Sequence, residues 1–139
     1  MYENIAKVAR EKESPNVYII IEACFSGSTE KGFLLKNMSP VSIQVENPVL
    51  AMPNAVVLTS SMGSEVSSWY PEKGHSMFTY FFLKALKELA GKGQTATAEA
   101  VFKSITDETD GLPYYVRRLH GRIQSPQIMG DRNRPIFEK

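Results

Sequence analysis

The only cysteine of the sequence, Cys24, stands where a catalytic nucleophile would be expected. Residues 17–21, V-Y-I-I-I, are typical of a β-strand buried on both faces, and E-A-C-F-S-G follows at once. In open α/β sheets, catalytic groups collect at the carboxyl ends of strands. A thiolate there can attack a carbonyl carbon and form an acyl-enzyme, with the Cys24 N–H directed at the oxyanion. The alternative is a buried structural cysteine.

A second cluster of polar residues follows a second predicted strand. Residues 55–59, A-V-V-L-T, predict a buried strand, and Ser60, Ser61 and Glu65 come just after it. If the two strands are parallel neighbours, both loops open at the same sheet edge and form two walls of a cleft. Ser60, Ser61 and Glu65 are therefore candidate substrate contacts, although Glu65 is equally typical of a solvated loop residue. Trp69 either lines the same groove or packs the loop onto the body of the domain.

Other chemistries are excluded by residue spacing. A cysteine phosphatase loop needs an arginine six residues after the cysteine, whereas position 30 is a glutamate that would repel phosphate. The sequence contains neither a G-x-x-x-x-G-K-[ST] phosphate loop nor a G-x-S-x-G nucleophile elbow. One cysteine and two distant histidines, His75 and His120, do not make a zinc site. We therefore predict no metal site and no cofactor.

Three short motifs, in the same order along the chain, resemble those of caspase-like cysteine peptidases. Residues 22–27, E-A-C-F-S-G, are similar to the family's D-A-C-F-S-G, and residues 74–80, G-H-S-M-F-T-Y, to its G-H-G-x-F-T-Y helix start. Residues 124–128, Q-S-P-Q-I, are similar to its Q-x-P-Q strand. The resemblance, which is closest to the metacaspase and prokaryotic caspase-homologue branch, covers most of residues 16–131. It implies a cysteine endopeptidase with Cys24 as nucleophile.

The resemblance also implies a substrate class. Glu22 stands where the family carries an Asp that helps to form the primary specificity pocket for Arg or Lys. The charge is retained, but glutamate is one methylene longer. Carboxylates at the pocket floor, Glu22 with Glu65 as a candidate second group, would pair with a substrate guanidinium. The expected partner is thus a peptide or protein substrate cut after Arg or Lys, and calcium activation stays open.

The catalytic base is absent from its expected place. In caspase signatures the histidine lies about 50 residues before the cysteine, whereas the 23 residues before Cys24 contain none. His75 belongs to the helix-start motif, which does not supply the family's base, and His120 lies among arginines. We therefore interpret residues 1–139 as a single domain, the C-terminal part of a caspase-like domain with its histidine in a missing upstream segment. The isolated chain is predicted to be inactive and to associate, through an uncovered sheet edge, with an N-terminal fragment or with itself.

The predicted fold is α/β, a mostly parallel sheet with helices on both faces that lacks its N-terminal strands. Strands over residues 16–22 and 55–60 should be adjacent and parallel, with neither at an exposed edge. Helices are predicted over residues 76–90, after a Thr97 cap, and from Pro113 through Leu119. The remaining predicted elements are a short helix over residues 2–13, a surface loop or short edge strands over residues 32–53, a strand over residues 127–130 and a charged tail that is an edge or disordered. Lys31 and Lys36 are the first basic sites at which the loop could be processed.

Composition limits the remaining function classes. Sixteen basic and 15 acidic residues leave a net charge of +1, which gives no electrostatic argument for nucleic acid or for an anionic membrane. No apolar stretch approaches the roughly 20 residues of a membrane helix. A lone cysteine favours a reducing, cytoplasmic setting. Two alternatives to the peptidase stay open: a non-catalytic interaction module with the same fold, and a small-ligand-binding module that uses the two serine-rich loops.

Overall fold

The computed structural model describes about two thirds of the chain, centred on one mixed α/β unit. Most of the predicted N-terminal helix, the turn that carries Cys24 and most of the predicted 32–53 loop lie outside the described residues. The described residues are Asn4, Lys7, 16–22, 28–29, 32–33, 54–62 and 65–137. Two short strands within them, β2 (Ser28–Thr29) and β3 (Gly32–Phe33), pair antiparallel.

The central sheet has three described strands in the order β1 (Val17–Ile21), β4 (Ala55–Thr59) and β8 (Gln127–Gly130). β1 and β4 are parallel, in a register that places Val17 opposite Ala55, so the predicted parallel pair is confirmed. β8 runs antiparallel to β4. The expectation of a mostly parallel sheet is therefore wrong for the described strands, because the chain enters β8 from the opposite end of the sheet.

The two faces of β4 bury different sets of residues. Val56 and Leu58 point into the main core, and Ala55 and Val57 point into a second, smaller cluster together with Ile19. This alternation is the period-two geometry of a strand, and here both faces are covered. All three described helices contribute to the core on the Val56 and Leu58 face. The prediction that β4 is a fully buried strand is confirmed.

β1 differs from the prediction that it would be buried on both faces. Only Ile19 is buried, and Ile20 is 44% exposed. β1 is also an edge of the sheet among the described strands, so the expected interior position is wrong for them. A run of isoleucines predicts a strand, but whether one or two other strands pair with it depends on the rest of the chain.

Three helices follow the sheet's first two long strands, and each begins at a capping residue or at a proline in its first turn. α1 (Met77–Gly91) is capped by Ser76, whose hydroxyl accepts a 3.2 Å hydrogen bond from the Thr79 N–H. α2 (Ala98–Ile105) is capped in the same way by Thr97. α3 (Leu112–His120) has proline in its first turn and ends at Gly121 in the left-handed conformation. The three predicted helices are confirmed, each within two residues.

Two short antiparallel pairs complete the described fold. β5 (Trp69–Tyr70) turns through a 3₁₀ segment, Pro71–Lys73, into β6 (His75–Ser76), which leads directly into α1. β7 (Ala96–Thr97) pairs with β9 (Pro135–Phe137). Part of the charged tail is therefore an ordered strand. None of the described helices is long and apolar enough to cross a membrane.

Candidate functional site

An open cleft of about 540 Å³ lies where the carboxyl end of β1 meets the first turn of α1. Each lining residue comes from a described element or from the short segment beside one. The lining residues are Glu22, Ser67, Ser68, Trp69, His75, Ser76 and Thr79. A carboxylate, hydroxyls, an imidazole and an indole thus face one space, which suits a ligand that combines positive charge with apolar surface.

Glu22 is the only carboxylate among these lining residues, and a helix start holds it in place. It is exposed, and its Oε2 accepts a hydrogen bond from the Thr79 hydroxyl. Thr79 lies in the first turn of α1, where its own N–H is capped by Ser76. The predicted substrate contact at Glu22 therefore lies in the cleft, and the parallel strands with the helix behind them bring it there.

The two predicted serines lie behind the cleft instead of in its lining. Ser60 is buried, and its hydroxyl accepts a 2.5 Å hydrogen bond from the Ser67 hydroxyl. Ser61 is also buried, and its Oγ has no hydrogen-bond partner among the described residues. Ser60 therefore contacts the cleft only indirectly, through its hydrogen bond with the lining residue Ser67.

Glu65 is occupied by internal hydrogen bonds. One carboxylate oxygen accepts from the Ser125 N–H at 2.6 Å and from the Met62 N–H at 3.2 Å, and the other accepts from the Ser125 hydroxyl at 2.8 Å. Glu65 does not line the cleft. Its carboxylate ties the loop after β4 to the segment before β8, and the geometry brings no second acid beside Glu22 among the lining residues.

The aromatic pair on β5 divides between the cleft and the core. Trp69 is 56% exposed and lines the cleft, as one of the two interpretations predicted. Tyr70 is buried, with its ring centroid 5.1 Å from that of Tyr80 and 6.5 Å from that of Phe81. Because neighbouring residues of a strand point to opposite faces, anchoring Tyr70 in the core presents Trp69 to the cleft.

Residues at the end of α3 and just after it hold the wall formed by Ser68 and Trp69, and sequence reasoning did not assign this role to them. Gln124 is buried; its Oε1 accepts from the Ser68 N–H at 2.8 Å, and its Nε2 donates to the Ser60 carbonyl at 2.9 Å. The Arg122 guanidinium donates to the Ser68 hydroxyl at 3.1 and 3.2 Å. The His120 Nε2 lies 2.9 Å from the Trp69 carbonyl oxygen. The Q-S-P-Q motif was the one signal that pointed to this segment.

Both histidines of the chain are described, but only His75 is among the lining residues of the cleft. His75 is exposed and lines the cleft, on the same side of the molecule as Glu22. The predicted nucleophile, Cys24, lies outside the described residues. No group of three or more potential metal ligands occurs in the described part of the chain. Comparison with known proteins found no matching family model, no similar curated protein and no similar solved structure.

Proposed function

We propose that this chain is the C-terminal part of a caspase-like cysteine endopeptidase domain in which Cys24 attacks the peptide bond after an Arg or Lys. The observation that carries the proposal is the place of Glu22, a lone carboxylate lining a cleft at the carboxyl end of β1. Because only Ala23 separates them, the chain cannot carry the Cys24 Cα more than about 7 Å from that of Glu22. Such a pair could bind a basic side chain and attack the carbonyl of the same residue.

The described residues of the three motifs support the same proposal. The helix-start motif opens α1, whose first turn donates to Glu22. The Q-S-P-Q motif carries Gln124, which joins the ends of β4 and β5 behind the cleft. Residues that are far apart in sequence, and that were grouped only by resemblance, thus converge around one cleft.

The proposed base is a histidine upstream of these residues, which follows the family pattern. An unassisted cysteine has a pKa near 8.5 and is only a few per cent thiolate at neutral pH. Positioned acid–base help is worth roughly 10²–10⁴-fold in rate. The isolated 139 residues should therefore show no measurable turnover. His75, which lines the cleft, is the alternative base within the chain.

The test is an assay of the purified chain on Arg- and Lys-ended fluorogenic peptides, alone and mixed with an upstream fragment. We expect turnover only in the mixture, abolished by Cys24→Ala and strongly reduced by Glu22→Gln. Absence of turnover in a folded mixture would contradict the peptidase. Turnover by the isolated chain that is lost in His75→Ala, but kept in the matched variant His120→Ala, would move the base to His75.

A second candidate function is a non-catalytic interaction module. The observation that favours it is β1, which is an edge strand among the described strands and leaves Ile20 44% exposed. Such an edge can accept a strand from a second copy or from an N-terminal fragment. Analytical ultracentrifugation of the chain and of Ile20→Lys tests this, because the lysine should weaken association if the edge carries it. Equal association of both proteins would contradict this candidate.

A further inference from the structure

Thr79 stands out among the cleft residues because it contacts the only lining carboxylate. Its hydroxyl donates to Glu22 Oε2 across a sequence separation of 57 residues. The donor is itself well placed, since Thr79 belongs to the capped first turn of α1. A β-branched side chain in a helix has few χ1 rotamers, so the hydroxyl has a defined direction. One oxygen of Glu22 is therefore anchored, and rotation of the carboxylate plane is restricted.

A carboxylate anchored in this way favours one kind of cation over another. An ionised carboxylate has about four acceptor positions, and Thr79 uses one of them. None of the described residues donates to the other oxygen, which is the one offered to a ligand. A guanidinium donates through two parallel N–H groups in one plane, so it benefits when the plane of the acceptor is fixed. An ammonium is a compact point charge that binds one oxygen from many directions, so it benefits less.

The indole of Trp69 adds to the same preference. Trp69 lines the cleft together with Glu22 and is more than half exposed, so its ring is accessible to a ligand. A planar guanidinium can stack on an aromatic face while its edge donates to a carboxylate. An ammonium has no planar face to stack. The two lining groups thus match the two chemical features of an arginine side chain.

We propose that Thr79 is a positioning residue that orients the Glu22 carboxylate and thereby makes the cleft selective for arginine over lysine. This proposal rests on the proposed function only in placing the basic side chain of a substrate at Glu22. It predicts a binding preference that exists without any catalysis, so the two can fail separately.

The experiment titrates the 139-residue chain with N-acetyl-arginine amide and, separately, with N-acetyl-lysine amide. Binding is followed by the fluorescence of Trp69, the only tryptophan of the chain. We expect the arginine probe to bind more tightly than the lysine probe. Thr79→Val, which keeps the shape and removes the hydroxyl, should weaken arginine binding by about three- to tenfold and change lysine binding by less than about twofold. Thr79→Ser should restore the preference.

Controls separate positioning from folding. Circular dichroism and thermal unfolding establish that each variant is folded, and Thr79→Ala provides a second variant if the valine disturbs the helix start. Glu22→Gln should weaken both probes, because the charge is removed. Unchanged arginine binding in a folded Thr79→Val, or an equal loss for both probes, would overturn the proposal, as would a wild-type chain that binds neither probe.

The outcomes also distinguish this proposal from the peptidase. Selective arginine binding that depends on Thr79, without cleavage by the reconstituted domain, would support the positioning role and contradict the peptidase. Cleavage with an unchanged arginine-to-lysine ratio in Thr79→Val would support the peptidase and contradict the role of Thr79.

Discussion

Replacing Gln124 with leucine should lower the free energy of unfolding by about 2–4 kcal/mol. Its side-chain amide is the only hydrogen-bond partner that the described contacts give to the Ser68 N–H, and it also donates to the Ser60 carbonyl. All three residues are only 1% exposed, so water cannot replace the lost partner. Each unsatisfied buried group costs about 1–3 kcal/mol, or about 2–6 kcal/mol for two. Apolar burial of the leucine offsets part of this loss.

The measurement is urea unfolding followed by circular dichroism and by Trp69 fluorescence. Gln127→Leu is the matched control, since Gln127 is exposed and, among the described residues, its amide donates only to the carbonyls of Ser125 and Pro126. We expect this control to change stability by less than about 0.5 kcal/mol. Because Gln124 holds the cleft wall, its replacement should also shift the emission of Trp69 in the folded state. A loss in Gln124→Leu no larger than that in Gln127→Leu would refute the reasoning.

Two further predictions concern the backbone and acid stability. Gly130→Ala should destabilise the protein by more than about 2 kcal/mol, because Gly130 has φ +92° and a Cβ there would overlap the Ala55 carbonyl oxygen. Gly91→Ala is the control, and it should stabilise the protein by about 0.4–1 kcal/mol because the space around Gly91 is open. Equal changes in the unfolding free energy of the two variants, measured by chemical unfolding, would contradict this prediction. The hydrogen bond from Lys84 lowers the pKa of Asp110, so this pair adds stability above the ordinary carboxyl pKa of about 4 that is lost as the pH falls through the lower folded pKa. The difference in unfolding free energy between wild type and Lys84→Met should therefore shrink from about pH 5 to pH 2.5, and a constant difference would count against the pair.

The sequence by itself determined the helices and the fully buried strand. Thr97 caps α2 as predicted, Ser76 caps α1, and the first turn of α3 contains Pro113. These signals are local, because a cap or a first-turn proline acts on N–H groups within one turn of the same segment. Residues 55–59 were predictable for a related reason, since a short apolar run with β-branched residues has few stable places outside a sheet.

The candidate site was predicted in part. The position of Glu22 after a strand indicated that it faces a cleft, and the structure places it there. Glu65 and Ser60 are residue types that often contact substrates, but here their side chains form hydrogen bonds with other residues of the protein. Whether a carboxylate faces a ligand or a backbone N–H depends on what packs opposite it. For Glu65 this is Ser125, which is 60 residues away.

Only the tertiary structure decided how the strands and the cleft walls are arranged. The apolar run of β1 indicated a strand, but its edge position and the exposure of Ile20 follow from which segments pair with it. The antiparallel direction of β8 and the pairing of β9 with β7 likewise depend on the path of the chain after α3. The contact from Thr79 to Glu22 joins the end of a strand to the start of a helix 57 residues later. Periodicity and capping report on neighbours within a few residues, whereas these features are set by contacts between distant segments whose pairing no local pattern encodes.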